Sequence, residues 1–321
     1  MAALAALPAL AALAAGCAVS HADEIAMGAE YAAQLERELP LVHDPAIEGY
    51  LNVLGDSIGR PADARGLTWH FYVVNMNDVN AFAVPGGYVY ITRGLVEHAA
   101  TLSQLAGAMG HEIAHVTRRH AVKQLERVQR ANAGVTIACV LTGVCGSDVA
   151  QVAVQVGGTA VLARYSREDE AEADDDAVTN VVRAGISPAG IPELFEELIR
   201  ERETRPDAVS AWFATHPSEE SRMARTRERI AALDPALLAT LTVDSPRFQA
   251  FRARVAALPA PRAVSVREVP RQNSGKAGVT VRPPGATVCL AFADGETAND
   301  ALPRDTGGGP CIELSASMHR L

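Results

Sequence analysis

Gly107-Ala108-Met109-Gly110-His111-Glu112-Ile113-Ala114-His115-Val116 decides how the rest of the chain is read, because it holds two histidines four residues apart with a glutamate directly after the first. On an α-helix, residues four apart differ by about 40° in azimuth and rise roughly 6 Å. His111 and His115 therefore present two imidazoles on one face, spaced to grip one metal ion. Glu112 can lean toward a water on that ion without being a ligand, the place a general base needs. Just upstream, Thr101-Leu102-Ser103-Gln104 reads as a capping box, with Thr101 as N-cap and Gln104 reaching back. Leu102, Leu105, Ala108, Met109 and Ile113 then supply an apolar stripe.

Downstream, the helix continues through Arg118, Arg119 and Lys123, a basic end that suits its C-terminal dipole. His120 lies five residues after His115, roughly 140° around the helix, and reads as a surface histidine. A metzincin needs glycine at 118 and histidine at 121; Arg118 and Ala121 exclude that class. A helix with two surface histidines and a coincident glutamate would carry the same letters, so the other stretches have to decide.

The second decisive stretch is Tyr165-Ser166-Arg167-Glu168-Asp169-Glu170-Ala171-Glu172-Ala173-Asp174-Asp175-Asp176-Ala177. Most of such an acidic run is a solvated helix face. Helical phase separates the exceptions: Glu170 and Asp174 share a face with Ala173, Ala177 and Val181, whereas Glu172 falls with Asp175, Asp176 and Thr179. A carboxylate on a buried stripe must be paired or bind metal. Glu170 is therefore the natural third ligand. Asp174, one turn on, is placed to hydrogen-bond a ligand histidine and fix its tautomer. Further on, Gly185-Ile186-Ser187-Pro188 predicts a helix with Ser187 as N-cap and Pro188 as its first residue, running to about Arg202. His216, before Pro217, reads by spacing as a cap or surface residue. Its other use would be donation to an oxyanion, supported by Arg222.

Composition narrows the rest. The chain has 321 residues, 48% hydrophobic but only 5% aromatic, so its core is built from Ala, Val, Leu and Ile. A net charge of −9 argues against nucleic acid as a partner. Residues 1–16 are apolar and alanine-rich, and Leu13-Ala14-Ala15-Gly16-Cys17 looks like a bacterial lipobox with Cys17 as the lipidated residue. No Lys or Arg precedes the run, and a plain cleaved signal peptide or a short anchor fits it too; all three readings export the protein. No other run reaches the roughly 18 apolar residues of a membrane span. The other four cysteines fall into two local pairs, Cys139 with Cys145 and Cys289 with Cys311, which fit two disulfides or four free buried thiols.

Between these landmarks, residues 23–59 read as helices and Leu67–Val74 as a strand. Ala81-Phe82-Ala83-Val84 and Tyr88–Thr92 read as a hairpin around Pro85-Gly86-Gly87. Its edge can hold an extended peptide or merely cover the helix. Residues 133–163 are either a cover over the cleft or plain core. Past Leu241 come a helix, a linker to about Val269 and, from Gly278, short strand-like runs, Val279–Val281 and Thr287–Leu290, in a small β-like or disordered tail.

Taken together, Asn80-Ala81-Phe82-Ala83-Val84-Pro85-Gly86-Gly87, the His111–His115 motif, Tyr165-Ser166-Arg167 leading to Glu170 and Asp174, and Thr215-His216-Pro217 with Arg222 occur in one order. The chain resembles the gluzincin family that includes the HtpX heat-shock peptidase and the CAAX prenyl proteases, closest to its soluble, lipoprotein-like periplasmic members. The resemblance implies one zinc ion on His111, His115 and Glu170, with Glu112 as base and Asp174 behind a ligand. It makes Ala81, Phe82 and Ala83 the substrate-binding edge, and His216 and Arg222 transition-state stabilisers or a gate on the metal. The family's transmembrane helices have no counterpart here, which sets prenylated substrates aside.

The expected fold is α+β and mainly α-helical: a zincin-type active-site helix, a small β-sheet edge and a helical C-terminal subdomain. Residues 1–16 would be a signal segment, 17–245 the metallopeptidase domain and 246–321 an appendage. The expected function is a zinc endopeptidase of the bacterial cell envelope that cleaves unfolded or misassembled envelope proteins and is held to a membrane, the outer one, by its N-terminal lipid. Two alternatives are an assembly factor or chaperone with latent peptidase activity, and a non-enzymatic lipoprotein with a structural metal. An intact Glu112 disfavours the last, since a structural site is usually closed by four protein ligands and needs no base.

Overall fold

The computed structural model describes residues 18–129, 165–216, 220–261, 265–267, 286–291 and 311–314. The signal segment, Cys17, the Cys139–Cys145 pair, the 133–163 stretch and the Val279–Val281 run lie outside the described residues. The fold is mainly helical with a small mixed sheet, in line with the expected class.

Two helices open the chain. Helix α1 (His21–Glu38) starts at a capping box in which Ser20 and Asp23 satisfy each other's backbone N–H. Helix α2 (Pro45–Ala62) starts at Asp44, which accepts from the N–H of Ala46 and Ile47, with Pro45 at the first position. Its Ile47, Leu51, Leu54 and Ile58, three or four residues apart, are buried in the main core. A three-stranded sheet follows: β1 (His70–Val74), β2 (Ala81–Val84) and β3 (Tyr88–Thr92), in spatial order β1-β3-β2. Strands β2 and β3 form the hairpin the sequence predicts. Gly86 and Gly87, at φ 86° and 100°, make a turn that side-chain-bearing residues rarely adopt. Strand β1 runs parallel to β3, and among the described residues no strand pairs with the outer edge of β2.

Helix α3 (Arg93–His98) leads into α4 (Leu102–Thr117), the helix of the decisive stretch. Its residues from Leu102 to Val116 are all buried, so it is a core helix covered on every side rather than a striped surface one. It packs against α2, β2, and two later helices, α6 (Arg167–Arg183) and α7 (Gly190–Thr204). Gly107 and Gly110 allow that approach: a β-carbon on Gly107 would stand 2.8 Å from Ile191, and one on Gly110 3.1 Å from Val181. Three details differ from the sequence reading. Thr101 caps α4 as expected, but the Gln104 side chain accepts from Ala100 N–H, one residue before the reciprocal partner of a capping box. Helix α4 stops at Thr117 instead of running on to Lys123, because Arg119 takes a φ of 59°; a new helix, α5, occupies residues 120–129. Helix α7 begins at Gly190, since the Ser187 side chain accepts from Ala189 N–H in a turn ahead of the helix.

The remaining helices are α8 (Pro206–Thr215), α9 (Glu220–Ala231), the single turn α10 (Pro235–Leu238) and α11 (Pro246–Ala256). Phe248, Phe251 and Val255 of α11 are buried in the main core. The first compact unit accordingly runs to Ala260. The apolar face of α11 could not be left in water, so it belongs to the domain it covers.

The second unit, residues 261–321, contains β4 (Ser265–Arg267), β5 (Ala286–Ala291) and β6 (Cys311–Leu314) in an antiparallel sheet of order β4-β5-β6. Cys289 and Cys311 are register partners across β5 and β6.

Candidate metal centre

Three helices and one helix end bring the site together. Helix α4 supplies His111, Glu112 and His115. Helix α6 is started by a capping box of Ser166 and Asp169, which places Glu170 in its first turn and Asp174 one turn on. His216 is the C-cap of α8, and Arg222 lies in the first turn of α9. The helical phase of the acidic run separates as the sequence indicates: Glu170 and Asp174 are buried and Glu172 is exposed. His216 is the exception to its spacing. It is only 1% exposed, under Trp212, whose ring lies 5.0 Å away.

The donor atoms converge. His111 Nε2 and His115 Nε2 stand 3.0 Å apart. Glu170 Oε2 is 3.4 Å from His111 Nε2, and its Oε1 is 3.5 Å from His115 Nε2. His216 Nδ1 is 3.3 Å from His111 Nε2 and 3.1 Å from Glu170 Oε1. Ligands about 2.05 Å from one zinc ion in a tetrahedron are separated by about 3.3 Å. Three imidazole nitrogens and a carboxylate, all within 4.8 Å of one another, form a donor set of the right chemistry and spacing to hold a metal ion.

The surroundings set the charge states. His111 Nδ1 is 3.0 Å from Asp174 Oδ1. Arg222 grips Asp174 through Nε and Nη2, each 2.8 Å from a carboxylate oxygen, and reaches Glu170 Oε2 with Nη1 at 2.7 Å. Burial opposes charge on all of these groups, but the mutual contacts outweigh it. Asp174 is held below the usual carboxylate range by Arg222 and His111, and Glu170 far below it by His216 and His111. His111, against the same burial, is pushed up to about 10 by Asp174 and Glu170. Burial and the neighbouring His111 hold His115 well below the ordinary imidazole value, in the neutral form that ligates metal.

Glu112 sits beside the cluster without joining it. Its carboxyl is pushed up, first by burial, against the pull of His216 and His111. Its Oε1 is 3.3 Å from His216 Nε2, and the backbone N–H of Ala83 faces it. That contact follows from the parity of β2. Thr92 N–H donates to Asn80 C=O, so the pairs that exchange bonds with β3 are Asn80, Phe82 and Val84. Ala81 and Ala83 therefore point their N–H and C=O groups away from β3, toward the outer edge. The Phe82 ring stacks on Tyr90 at 5.0 Å, in the aromatic cluster of Tyr72 and Tyr90.

Two residues escaped the sequence reading. His120, expected on the surface, is fully buried with Nδ1 2.9 Å from His115 Nδ1. The helix break at Arg119 swings it back, and nothing in the local pattern announces a positive φ at an arginine. Tyr165 stacks on His115, ring centroids 3.9 Å apart at 16°. Its place in the Tyr-Ser-Arg run is visible in the sequence, but its partner is not.

Comparison with known proteins agrees with this geometry. The sequence pattern of peptidase family M48 matches residues 44–230. The chain is 33% identical to a beta-barrel assembly-enhancing protease of Escherichia coli O157:H7 over 234 residues, 69% of this chain and 46% of that one. It is 30% identical to the metalloprotease LoiP of Escherichia coli K12 over 182 residues, 57% of this chain and 70% of LoiP. It is also 29% identical to the mitochondrial metalloendopeptidase OMA1 of Arabidopsis thaliana over 158 residues, 49% of this chain and 31% of OMA1. The chain spans about half the length of the beta-barrel assembly-enhancing proteases it matches. With His111, Glu112, His115, Glu170, Asp174, His216 and Arg222 all inside the matched span, the chain belongs to peptidase family M48, whose metallopeptidases use zinc.

Proposed function

We propose that this protein is an endopeptidase of the bacterial cell envelope, with zinc held by His111, His115 and Glu170. The observation that carries the reading is Glu112: a buried carboxyl at the edge of the donor cluster, turned toward β2 by Ala83 N–H and not itself a ligand. Zinc bound there would supply the Lewis acidity that acidifies a water and polarises a scissile carbonyl. Glu112 is placed to take a proton from the attacking water and to return it to the leaving amine. Ala81 and the Ala83 C=O offer outward backbone groups to an extended peptide, which reads its backbone and leaves side-chain choice loose. Asp174 holds the tautomer of His111, and Arg222 holds Asp174. The names of the relatives join proteolysis to β-barrel assembly, which supports unfolded or misassembled envelope proteins as substrates.

A second reading rests on His216. Its Nδ1 stands at the fourth corner of the donor set, where substrate or water would otherwise enter. In that state the enzyme is latent and acts as an assembly factor until His216 leaves; with His216 swung aside, the same imidazole is free to stabilise an oxyanion.

Export completes the proposal. The lipobox-like run before Cys17 supports a lipid anchor on a periplasmic protein, at the inner face of the outer membrane. Among the described residues no helix is long and apolar enough to cross a membrane. The register that pairs Cys289 with Cys311 across antiparallel strands supports a disulfide between them, which an oxidising compartment would preserve. Cys139 and Cys145 are the other candidate pair.

The test compares zinc-loaded wild type, Glu112→Gln and His216→Ala on an unfolded protein substrate. Cleavage by wild type and none by Glu112→Gln, with zinc retained in both, supports the peptidase. Cleavage only by His216→Ala supports the latent form. A wild type that takes up no zinc sinks the site.

A further inference from the structure

We infer that His120 is a positioning residue for His115: it selects the tautomer of His115 that turns a bare Nε2 toward the donor cluster. The inference rests on His115 being a zinc ligand, as proposed above.

The two imidazoles meet Nδ1 to Nδ1 at 2.9 Å, with rings at 73°, and both are buried. Such a contact is a hydrogen bond only if one of the two nitrogens carries a proton and the other does not. If the proton were on His120 Nδ1, the proton of neutral His115 would sit on Nε2 and point at His111 Nε2, 3.0 Å away. That arrangement blocks ligation. The far side of His120 decides between the two. Its Nε2 faces two carboxylates, Glu172 Oε2 at 3.5 Å and Asp169 Oδ1 at 3.8 Å, which favour a proton there. A neutral imidazole with its proton on Nε2 has a bare Nδ1. His115 must then donate from Nδ1, and its Nε2 lone pair is presented to the metal. Tyr165 stacks on His115 at 3.9 Å and lies tilted beside His120 at 6.0 Å, so it packs against both rings of this contact.

The chain delivers His120 by a device remote from the metal. On a continuous helix its side chain would point about 140° away from that of His115. The break at Arg119, φ 59°, returns it. That turn is clamped from outside: Arg119 Nε is 2.7 Å from buried Glu24 Oε2, and its Nη2 donates to Val19 C=O at 2.6 Å. Arg65 binds the same carboxylate at 2.8 Å and donates to Val116 C=O at 3.0 Å, the last buried turn of α4. His111 and His115 are thus oriented by different means, one by a carboxylate and one by a second histidine.

The experiment measures zinc affinity of the full chain by competition with a chromogenic chelator for wild type, His120→Phe, His120→Asn and His115→Ala. Thermal unfolding of each metal-free protein is followed alongside. His120→Phe should bind zinc roughly 10–100-fold more weakly, while His120→Asn, whose carbonyl can accept from His115 Nδ1, should stay within about threefold of wild type. Equal losses in Phe and Asn, or no loss in Phe, overturn the inference. If His115→Ala binds zinc as tightly as wild type, the ligand assignment has failed instead. Histidine ¹⁵N spectra of the zinc-loaded wild type give a readout that needs no variant to fold. They should place the His120 proton on Nε2 and the His115 proton on Nδ1; a proton on His120 Nδ1 overturns the inference.

Discussion

Arg222 holds Asp174 by two parallel hydrogen bonds, Nε to Oδ2 and Nη2 to Oδ1, both 2.8 Å, and the same guanidinium reaches Glu170. All three side chains are buried. Replacing Arg222 by Met keeps the volume and leaves two buried carboxylates without their cation. Breaking one side of a buried ion pair typically costs about 3–5 kcal/mol. Urea unfolding of metal-free Arg222→Met should show a loss of that order, and a loss below about 1 kcal/mol would mean the pair contributes little.

The pH dependence of Asp174 has a definite sign. Its folded carboxyl lies below the ordinary value, burial being outweighed by Arg222 and His111. A depressed carboxyl contributes stability that is complete above its unfolded value, about pH 4, and is lost as pH falls toward the folded one. The stability gap between metal-free wild type and Asp174→Asn should therefore be widest above about pH 4 and narrow below it. A gap constant down to the acid end would contradict the assignment.

Ser166 starts the helix that carries Glu170 and Asp174, accepting from Asp169 N–H while Asp169 reaches back. Ser166→Ala should cost about 1 kcal/mol of stability, measured by thermal or urea unfolding. Zinc affinity should fall as well, since the first turn of α6 presents Glu170, the carboxylate of the donor set.

Gly28 sits in the middle of α1, where alanine would ordinarily add about 1 kcal/mol of helix propensity. Here the tertiary contact wins. A β-carbon at 28 would lie 1.9 Å from the Pro85 carbonyl oxygen, so the helix would have to lift off the β2–β3 turn. Gly28→Ala should destabilise by at least about 1–3 kcal/mol; a rise in the unfolding midpoint would show that α1 moves freely on the turn.

Much of the site was legible because helical geometry is local. Four-residue spacing alone puts His111 and His115 on one face, and the phase of an acidic run alone separates buried Glu170 and Asp174 from exposed Glu172. The hairpin was legible for the same reason, since Gly86 and Gly87 carry the positive φ that their turn requires. The end of the first unit was not. Whether residues after 245 form a linker or a wall of the core depends on what Phe248 and Phe251 can reach, and composition does not say.

His216 and His120 mark the division most clearly. By itself, the sequence determined two helices bearing ligand-type side chains on defined faces, a glutamate directly after the first of those histidines, and a strand pair ahead of them. Only the tertiary structure decided which third imidazole closes the donor set and which one backs His115. His216 reaches His111 across 105 residues. His120 is turned inward by an arginine whose backbone conformation is held by Glu24, 95 residues upstream. Periodicity propagates over a few turns of one helix, whereas these two placements depend on contacts between helices that meet only once the core has closed.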